Sequence, residues 1–228
     1  MRYKNLIIIG TSHIAPQSLK EVESTILNEI PDIVALELDR KRLSALVGNI
    51  SRKLRWKDVW RVGIKGFLFS MIGAWVEQKL GQKTGVAPGS EMLLAFKTAQ
   101  KVNARVALID QDIEFTLKRF SKELSWKEKW FFLVDLFRGL ILRKSDIDFD
   151  LAKVPKQETI TRLIKQVKKR YPNVYKVLVT ERNSFMAAGL AHLLQSFPEK
   201  KIVAVVGAGH EKDIVGLVKQ KLKVNFCS

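Results

Sequence analysis

One cysteine is all that this 228-residue chain contains, and Cys227 stands next to the last residue. An internal disulfide framework and a cysteine-rich metal site are therefore excluded, and a reducing compartment fits. Long apolar runs are missing as well. Met1-Arg2-Tyr3-Lys4-Asn5 leads into only four apolar residues before Gly10, too few for a signal peptide or a membrane span. The run from Gly66 to Val76, GFLFSMIGAWV, is also too short to cross a bilayer. It suits a core helix, or an interfacial one with lysines at headgroup level. The expected location is cytoplasmic, with peripheral attachment to a membrane as the variant.

Acids are scarce, with 23 Asp and Glu against 40 Lys and Arg, a formal net charge of +17. A field of that sign attracts phosphate backbones, anionic headgroups and acidic proteins without choosing among them. Between Lys41 and Lys65 lie Lys41, Arg42, Arg52, Lys53, Arg55, Lys57, Arg61 and Lys65 with only Asp58 opposing them. A second basic stretch carries Lys165, Lys168, Lys169 and Arg170. No zinc finger, aromatic RNA-binding strand or clear helix-turn-helix accompanies them, so specific nucleic-acid readout is not expected. Solvated helix faces, or weak contact with an anionic membrane or other polyanion, are the readings left. Self-association into a homo-oligomer is left open.

The apolar pattern is that of an α/β protein. Leu6-Ile7-Ile8-Ile9 is a continuous run of the kind buried on both faces of a sheet. Ser18-Leu19-Lys20-Glu21 then reads as a capping box, followed by Leu19, Val22, Ile26 and Ile30 at helical spacing. Asp32 to Leu36 begins a second strand, and the strand-helix-strand order implies parallel pairing. Further strands are expected at Arg105 to Ile109 and Ile202 to Val206, and a last one at Val224-Asn225-Phe226.

Helical insertions are expected at about 41–80 and about 112–197. The second has a capping box at Ser125-x-x-Glu128 and an apolar face of Trp130, Leu133, Val134, Phe137, Leu140 and Ile141. No repeat or linker divides the chain. The expectation is a single α/β domain over residues 1–228, its central, largely parallel sheet flanked by helices and carrying large helical insertions.

Two of the three histidines occur in Gly-x-x-His directly after an apolar run, His13 in IIIGTSHIAPQS and His210 in VAVVGAGHEKDI. Glu37-Leu38-Asp39 and Asp110-Gln111-Asp112 follow the other two strands. Ligands of open α/β sheets collect beyond the carboxyl ends of the strands, so four strand ends bring imidazoles and carboxylates to one edge. That is the raw material of a metal or acid-base site.

Farther on, Val174, Val177, Leu178, Glu181, Phe185 and Gly189 occupy one helical stripe. Glu181 on that apolar face requires a partner, either Arg182 or a metal. Glu91, in PGSEMLLAF, reads as a first-turn acid of a helix whose inward stripe is Met92, Ala95, Phe96 and Ala99. His192, among Leu190, Leu193 and Leu194, reads as a packing residue.

GTSHIAPQS, ALELDRKR, PGSEMLLAF, LIDQDIEFTLKRF, ERNSFMAAGL and VAVVGAGHEKDI, in that order, resemble the TraB/PrgY family, which includes bacterial pheromone-shutdown proteins and archaeal relatives. The wider group resembles the divalent-metal-dependent TIKI proteases, with their paired Gly-x-x-His motifs, and more distantly the erythromycin esterase and ChaN-like folds. The resemblance implies a metallopeptidase-like site containing His13, His210, Glu37, Glu91, Asp110, Glu181 and Arg182.

On that basis His13, His210 and Glu37 would hold a Zn, Mn or Co ion, ligands that suit all three. Glu91 or Glu181 would serve as general base, Arg182 would steady an oxyanion or a substrate carboxylate, and the substrate would be a peptide or protein. A non-enzymatic peptide or polyanion binder is the alternative. Two departures stand out. Family members often have Arg where this chain has Gln111, and many carry hydrophobic segments after the final Gly-x-x-His region, whereas this sequence stops at Ser228. A form without that anchor is expected.

Overall fold

The computed structural model describes residues 1–12, 15–48, 85–128, 130–131, 134–135 and 157–224. Five strands, β1 (Arg2–Tyr3), β2 (Leu6–Thr11), β3 (Ile33–Leu36), β4 (Arg105–Leu108) and β5 (Ile202–Gly207), form one sheet in the order β1-β2-β5-β3-β4. β1 runs antiparallel to β2, and every other pair is parallel. β2, β3, β4 and β5 fall on the expected apolar runs.

The helices are α1 (Pro16–Glu29), α2 (Arg40–Val47), α3 (Ser90–Lys101), α4 (Ile113–Glu123), α5 (Gln157–Arg170), α6 (Pro172–Tyr175), α7 (Arg182–Ser196) and α8 (Ala208–Val224). A π-helical segment, Lys176–Glu181, joins α6 to α7. The first expected insertion lies mostly outside the described residues, Gly66 to Val76 included.

Side chains alternate across a strand, so each buried strand feeds two cores. Ile8, Ala35, Ala204 and Val206 pack against Met186, Ala187, Leu190 and Leu194 of α7 and Ile214, Val218 and Leu222 of α8. Ile9, Val34, Leu36, Val203 and Val205 pack on the opposite face against Val22 and Ile26 of α1 and Met92, Ala95 and Ala99 of α3. Taking such an aliphatic side chain out of water is worth about 1.5–3 kcal/mol. An exposed ion pair is worth roughly 0–1 kcal/mol, so these two cores, and not the many surface charges, hold the sheet.

Several expectations give way to local chemistry. Ser18 caps nothing: Pro16 already starts α1, and the buried Ser18 hydroxyl accepts from the Ser12 amide at 2.9 Å, tying down the chain after β2. Ile30 lies beyond the helix in left-handed geometry, 66% exposed. Val224 ends α8 and starts no strand, while Asn225 and Phe226 lie outside the described residues. Trp130 is 65% exposed; Leu133, Phe137, Leu140 and Ile141 lie outside the described residues.

The second capping box is present. The Ser125 amide and hydroxyl both donate to Glu128 Oε2, at 3.0 and 2.9 Å, and the Glu128 amide returns a bond to Ser125 Oγ at 3.2 Å. The same carboxylate accepts from the Asn173 amide at 2.7 Å and its Nδ2 at 2.9 Å. One buried carboxylate thus satisfies donors at two helix starts.

The stripe read through Glu181 also shifts. In α7 the buried residues are Asn183, Met186, Ala187, Leu190, Ala191 and Leu194, and Phe185 is 51% exposed. A π turn takes more residues than an α turn, so a 3.6-residue count carried from Val174 loses its phase across Lys176–Glu181.

Candidate functional site

Beyond the carboxyl ends of β2 and β5 the chain leaves on opposite faces, β2 toward α1 and β5 toward α8, the reversal beside which ligands of open α/β sheets collect. The glycine of the first Gly-x-x-His lets the two turns approach. A Cβ on Gly10 would lie 2.5 Å from Glu211 Oε2 and 3.2 Å from Ala208 Cα, closer than side chains tolerate. At the second turn the Gly207 amide donates to Glu37 Oε2 at 2.6 Å, so the end of β3 is stitched to the end of β5.

A chain of alternating charges runs from this point. Glu37 Oε1 accepts from Arg182 Nη2 at 2.5 Å. The same Nη2 reaches Asp110 Oδ2 at 2.5 Å, and Arg182 Nε reaches Oδ1 at 3.2 Å. Asp110 Oδ2 also accepts from Arg42 Nη2 at 2.5 Å, and Arg42 Nε donates to Asp39 Oδ2 at 2.7 Å. Asp39 is the N-cap of α2, its Oδ1 accepting from the Lys41 and Arg42 amides.

Burial acts to raise the Asp110 carboxyl, but the hydrogen bonds and charge of Arg182, together with those of Arg42, outweigh it and hold Asp110 below the usual carboxylate range. Both guanidiniums are pushed up in turn: burial opposes their charge, and the carboxylates around them prevail.

His210 joins the other end of the chain. Asn183 Nδ2 donates to Asp213 Oδ2 at 3.3 Å, which turns its Oδ1 toward His210 Nδ1 at 2.5 Å. Nδ1 therefore carries the hydrogen and donates to Asn183, and Nε2 faces Glu37 Oε1 at 3.5 Å. Glu37, Glu91, Arg42 and Arg182 line a cleft of about 450 Å³ whose apolar wall includes Leu38, Leu46, Met92, Ile113 and Leu178. Glu91 enters it from the first turn of α3, after Gly89 at φ 80°.

The sequence-derived candidates thus divide. Glu37, Asp110, Arg182 and His210 share one network, and Glu91 shares a cleft with Glu37 and Arg182. His13 lies outside the described residues. Glu181 does not pair with Arg182: both its oxygens accept from Arg119, at 3.2 and 2.6 Å, and it is not among the cleft residues. Arg182 is held by Asp110 and Glu37 instead. His192 is exposed, so a packing role does not hold.

Arg42 and Asn183 were missed by the sequence reading. Arg42 was hidden in a basic stretch, and the only signal for it was Asp39 in the N-cap position three residues earlier. Asn183 could have been found as the polar residue in register with Met186, Ala187 and Leu190.

The donor set partly fits a metal ion. Bonds of about 2.0–2.2 Å at a tetrahedral centre put two ligand atoms roughly 3.4 Å apart, close to the separation of His210 Nε2 and Glu37 Oε1. The Nδ1–H bond to Asn183 is the outer contact expected of a ligating histidine. Arg182, on the same Glu37 oxygen, opposes a cation there. Among the described residues no three His, Cys, Asp or Glu side chains are grouped to hold a metal.

Sheet and site together define an α/β protein with a charged network beyond the carboxyl ends of its parallel strands. The chain belongs to the TraB/PrgY/gumN family, whose model matches residues 3–226. It is 36% identical to the Methanocaldococcus jannaschii protein MJ1365 over 95% of this chain and 54% of that protein. It is 27% identical to the human TraB domain-containing protein and 26% to the mouse one, each over 89% of this chain and 60% of the relative. The chain thus spans little more than half the length of these relatives. Among the described residues no helix is long and apolar enough to cross a membrane.

Proposed function

We propose that the protein is a metal-dependent hydrolase of peptide bonds, with its site beyond the carboxyl ends of the strands, where His210 meets Glu37 at the margin of the cleft. The observation that carries this reading is the imidazole of His210, fixed through Nδ1 by Asn183, with Nε2 turned to the Glu37 carboxylate. His210 and Glu37, with His13 from the matching turn, would hold Zn, Mn or Co. Such an ion, when bound, lowers the pKa of water and polarises a carbonyl. The kinship with TIKI-type proteases belongs to this same proposal.

The protein's own residues divide the remaining work. Glu91, buried on the cleft wall, is the base that takes a proton from the attacking water; Glu181, bound to Arg119, is not. Arg182 is held through Nε and Nη2 by Asp110 and Glu37, so it fixes Glu37 in place and adds positive potential where a carbonyl oxygen gains charge. Leu38, Leu46, Met92 and Leu178 limit water around the reacting atoms.

A second reading is a peptide or polyanion binder that does not hydrolyse. It is favoured by Glu37 having both oxygens engaged, one by Arg182 and one by the Gly207 amide.

The two readings separate when manganese, cobalt and zinc titrations are paired with a screen of peptide hydrolysis. Turnover should need added metal and disappear in Glu37→Gln and His210→Ala. Binding of peptide without turnover under every metal would leave the binder reading standing and end the hydrolase one.

A further inference from the structure

We infer that Arg42 binds a carboxylate of the substrate in the cleft and is the residue that sets specificity there. That the carboxylate belongs to a peptide rests on the hydrolytic reading above. The sequence role considered for Arg182, holding a substrate carboxylate, passes to Arg42 because the two guanidiniums are used differently. Arg182 makes contacts through Nε, Nη1 and Nη2, with Asp110, Leu178 O and Glu37, and its side chain is 16% exposed. Among the described residues the Arg42 side chain is engaged through Nε and one contact of Nη2, and it is 30% exposed. Its Nη1 edge meets no acceptor among the described residues, and Arg42 is part of the cleft wall.

The neighbouring acids offset the charge of the guanidinium but put no acceptor on that edge. Asp39 Oδ1 is taken by two α2 amides, and its Oδ2 by Arg42 Nε and by the Ile113 amide at 3.2 Å. Asp110 Oδ1 accepts from the Gln111 amide at 2.8 Å and from Arg182, and Oδ2 accepts from both arginines. These acids grip the guanidinium from one side and fix its plane. Fixing costs entropy that a free arginine would lose on binding, so the open edge is already oriented for a planar anion. Ala45, Leu46 and Ile113 beside it thin the water layer, which strengthens a charge-assisted bond.

The carboxylate could be the C-terminus of a peptide or an acidic side chain within it. Three probes tell them apart: acetyl-tetraalanine acid, its C-terminal amide, and acetyl-Ala-Ala-Glu-Ala amide. Binding is measured calorimetrically in the presence of a chelator, so that no metal contributes and failure of hydrolysis does not affect the result. The acid should bind roughly tenfold tighter than its amide, as one hydrogen bond to a charged group predicts. A terminal carboxylate site leaves the Glu peptide near the amide; a side-chain site puts it near the acid.

Arg42→Gln should bring all three together. If that variant fails to fold, Arg42→Lys keeps the charge beside Asp110, lacks the second edge, and should lose most of the preference. Equal binding of all three probes by the wild-type protein, no binding at millimolar concentration, or a preference that survives in a folded Arg42 variant would overturn the assignment.

Discussion

His210 Nε2 faces Glu37 Oε1 across 3.5 Å, the imidazole coming from the first turn of α8 and the carboxylate from the end of β3. If this pair holds a metal, His210→Ala should abolish metal-dependent hydrolysis and weaken manganese binding in equilibrium dialysis. Its structural cost should stay near 1–3 kcal/mol in urea unfolding, the price of leaving the buried Asn183 amide short of one partner. His192→Ala, at an exposed position on α7, should change both by less than about 0.5 kcal/mol. A dead His192→Ala beside an active His210→Ala would reverse the assignment.

Asn183 acts through His210. Replacing it by Leu removes the acceptor that fixes the imidazole and should lower metal affinity by about 10–100-fold while His210 remains. Unchanged affinity in a folded Asn183→Leu protein would show that the bond at 2.5 Å is structural only.

Asp110 is shared by two arginines and should be among the costliest acids to neutralise. Asp110→Asn leaves both guanidiniums facing a weak acceptor, an expected loss of about 3–5 kcal/mol. The pH dependence follows from the depressed folded-state value. The stabilisation is fully present above the unfolded carboxylate range, near pH 4, and is lost as pH falls through the lower folded value. Urea titrations from pH 6 downward should therefore steepen below about pH 4 in the wild type and flatten in Asp110→Asn. Parallel curves for the two proteins would contradict this.

Glu128→Ala removes acceptors from two helix starts at once, so its expected cost is about 2–3 kcal/mol, twice that of an ordinary cap. Glu128→Gln retains one oxygen and should fall between. Burial acts to raise this carboxyl, yet the bonds from Asn173 and Ser125 hold it below its usual value. A loss under about 0.5 kcal/mol in Glu128→Ala, measured by thermal unfolding, would mean water replaces both caps.

Lys165, Lys168, Lys169 and Arg170 are exposed on α5 and should bind polyanions such as heparin weakly and without sequence preference. Affinity should fall steeply between low and moderate salt. Retention that is indifferent to salt would point to a specific contact instead.

The two-sided burial of β2, β3 and β5 explains why those strands were legible: a run such as Ile202 to Val206 has no solvated face to interrupt it with polar residues. Their spatial order was not legible. The bonds that place β5 between β2 and β3 join residues far apart in sequence, and no local pattern records them. β1 has two residues, too few for a period of two to show.

At the site, residue types after strands pointed to Glu37, Asp110 and His210, because strand direction alone decides which edge they occupy. Side-chain choices were less visible. Asp39, three residues earlier, is the one local hint that separates the cation that turns inward, Arg42, from Lys41, which pairs at the surface with Asp112 and Glu114. The same limit explains Glu181, whose partner Arg119 comes from another helix.

The position of β5 also sets the order of assembly on the ribosome. β2, α1 and β3 emerge first, but β2 and β3 share no hydrogen bonds; the strand that joins them is made of Ile202–Gly207. Until that segment leaves the exit tunnel, both strands keep a vacant inner edge, and Glu37 lacks the Gly207 amide. Nascent chains halted before Ile202 should then be cut by protease within the β2 to β3 region and recruit edge-binding chaperones, whereas the released protein should resist. Long-range pairing of this kind makes closure of the central slot a late event.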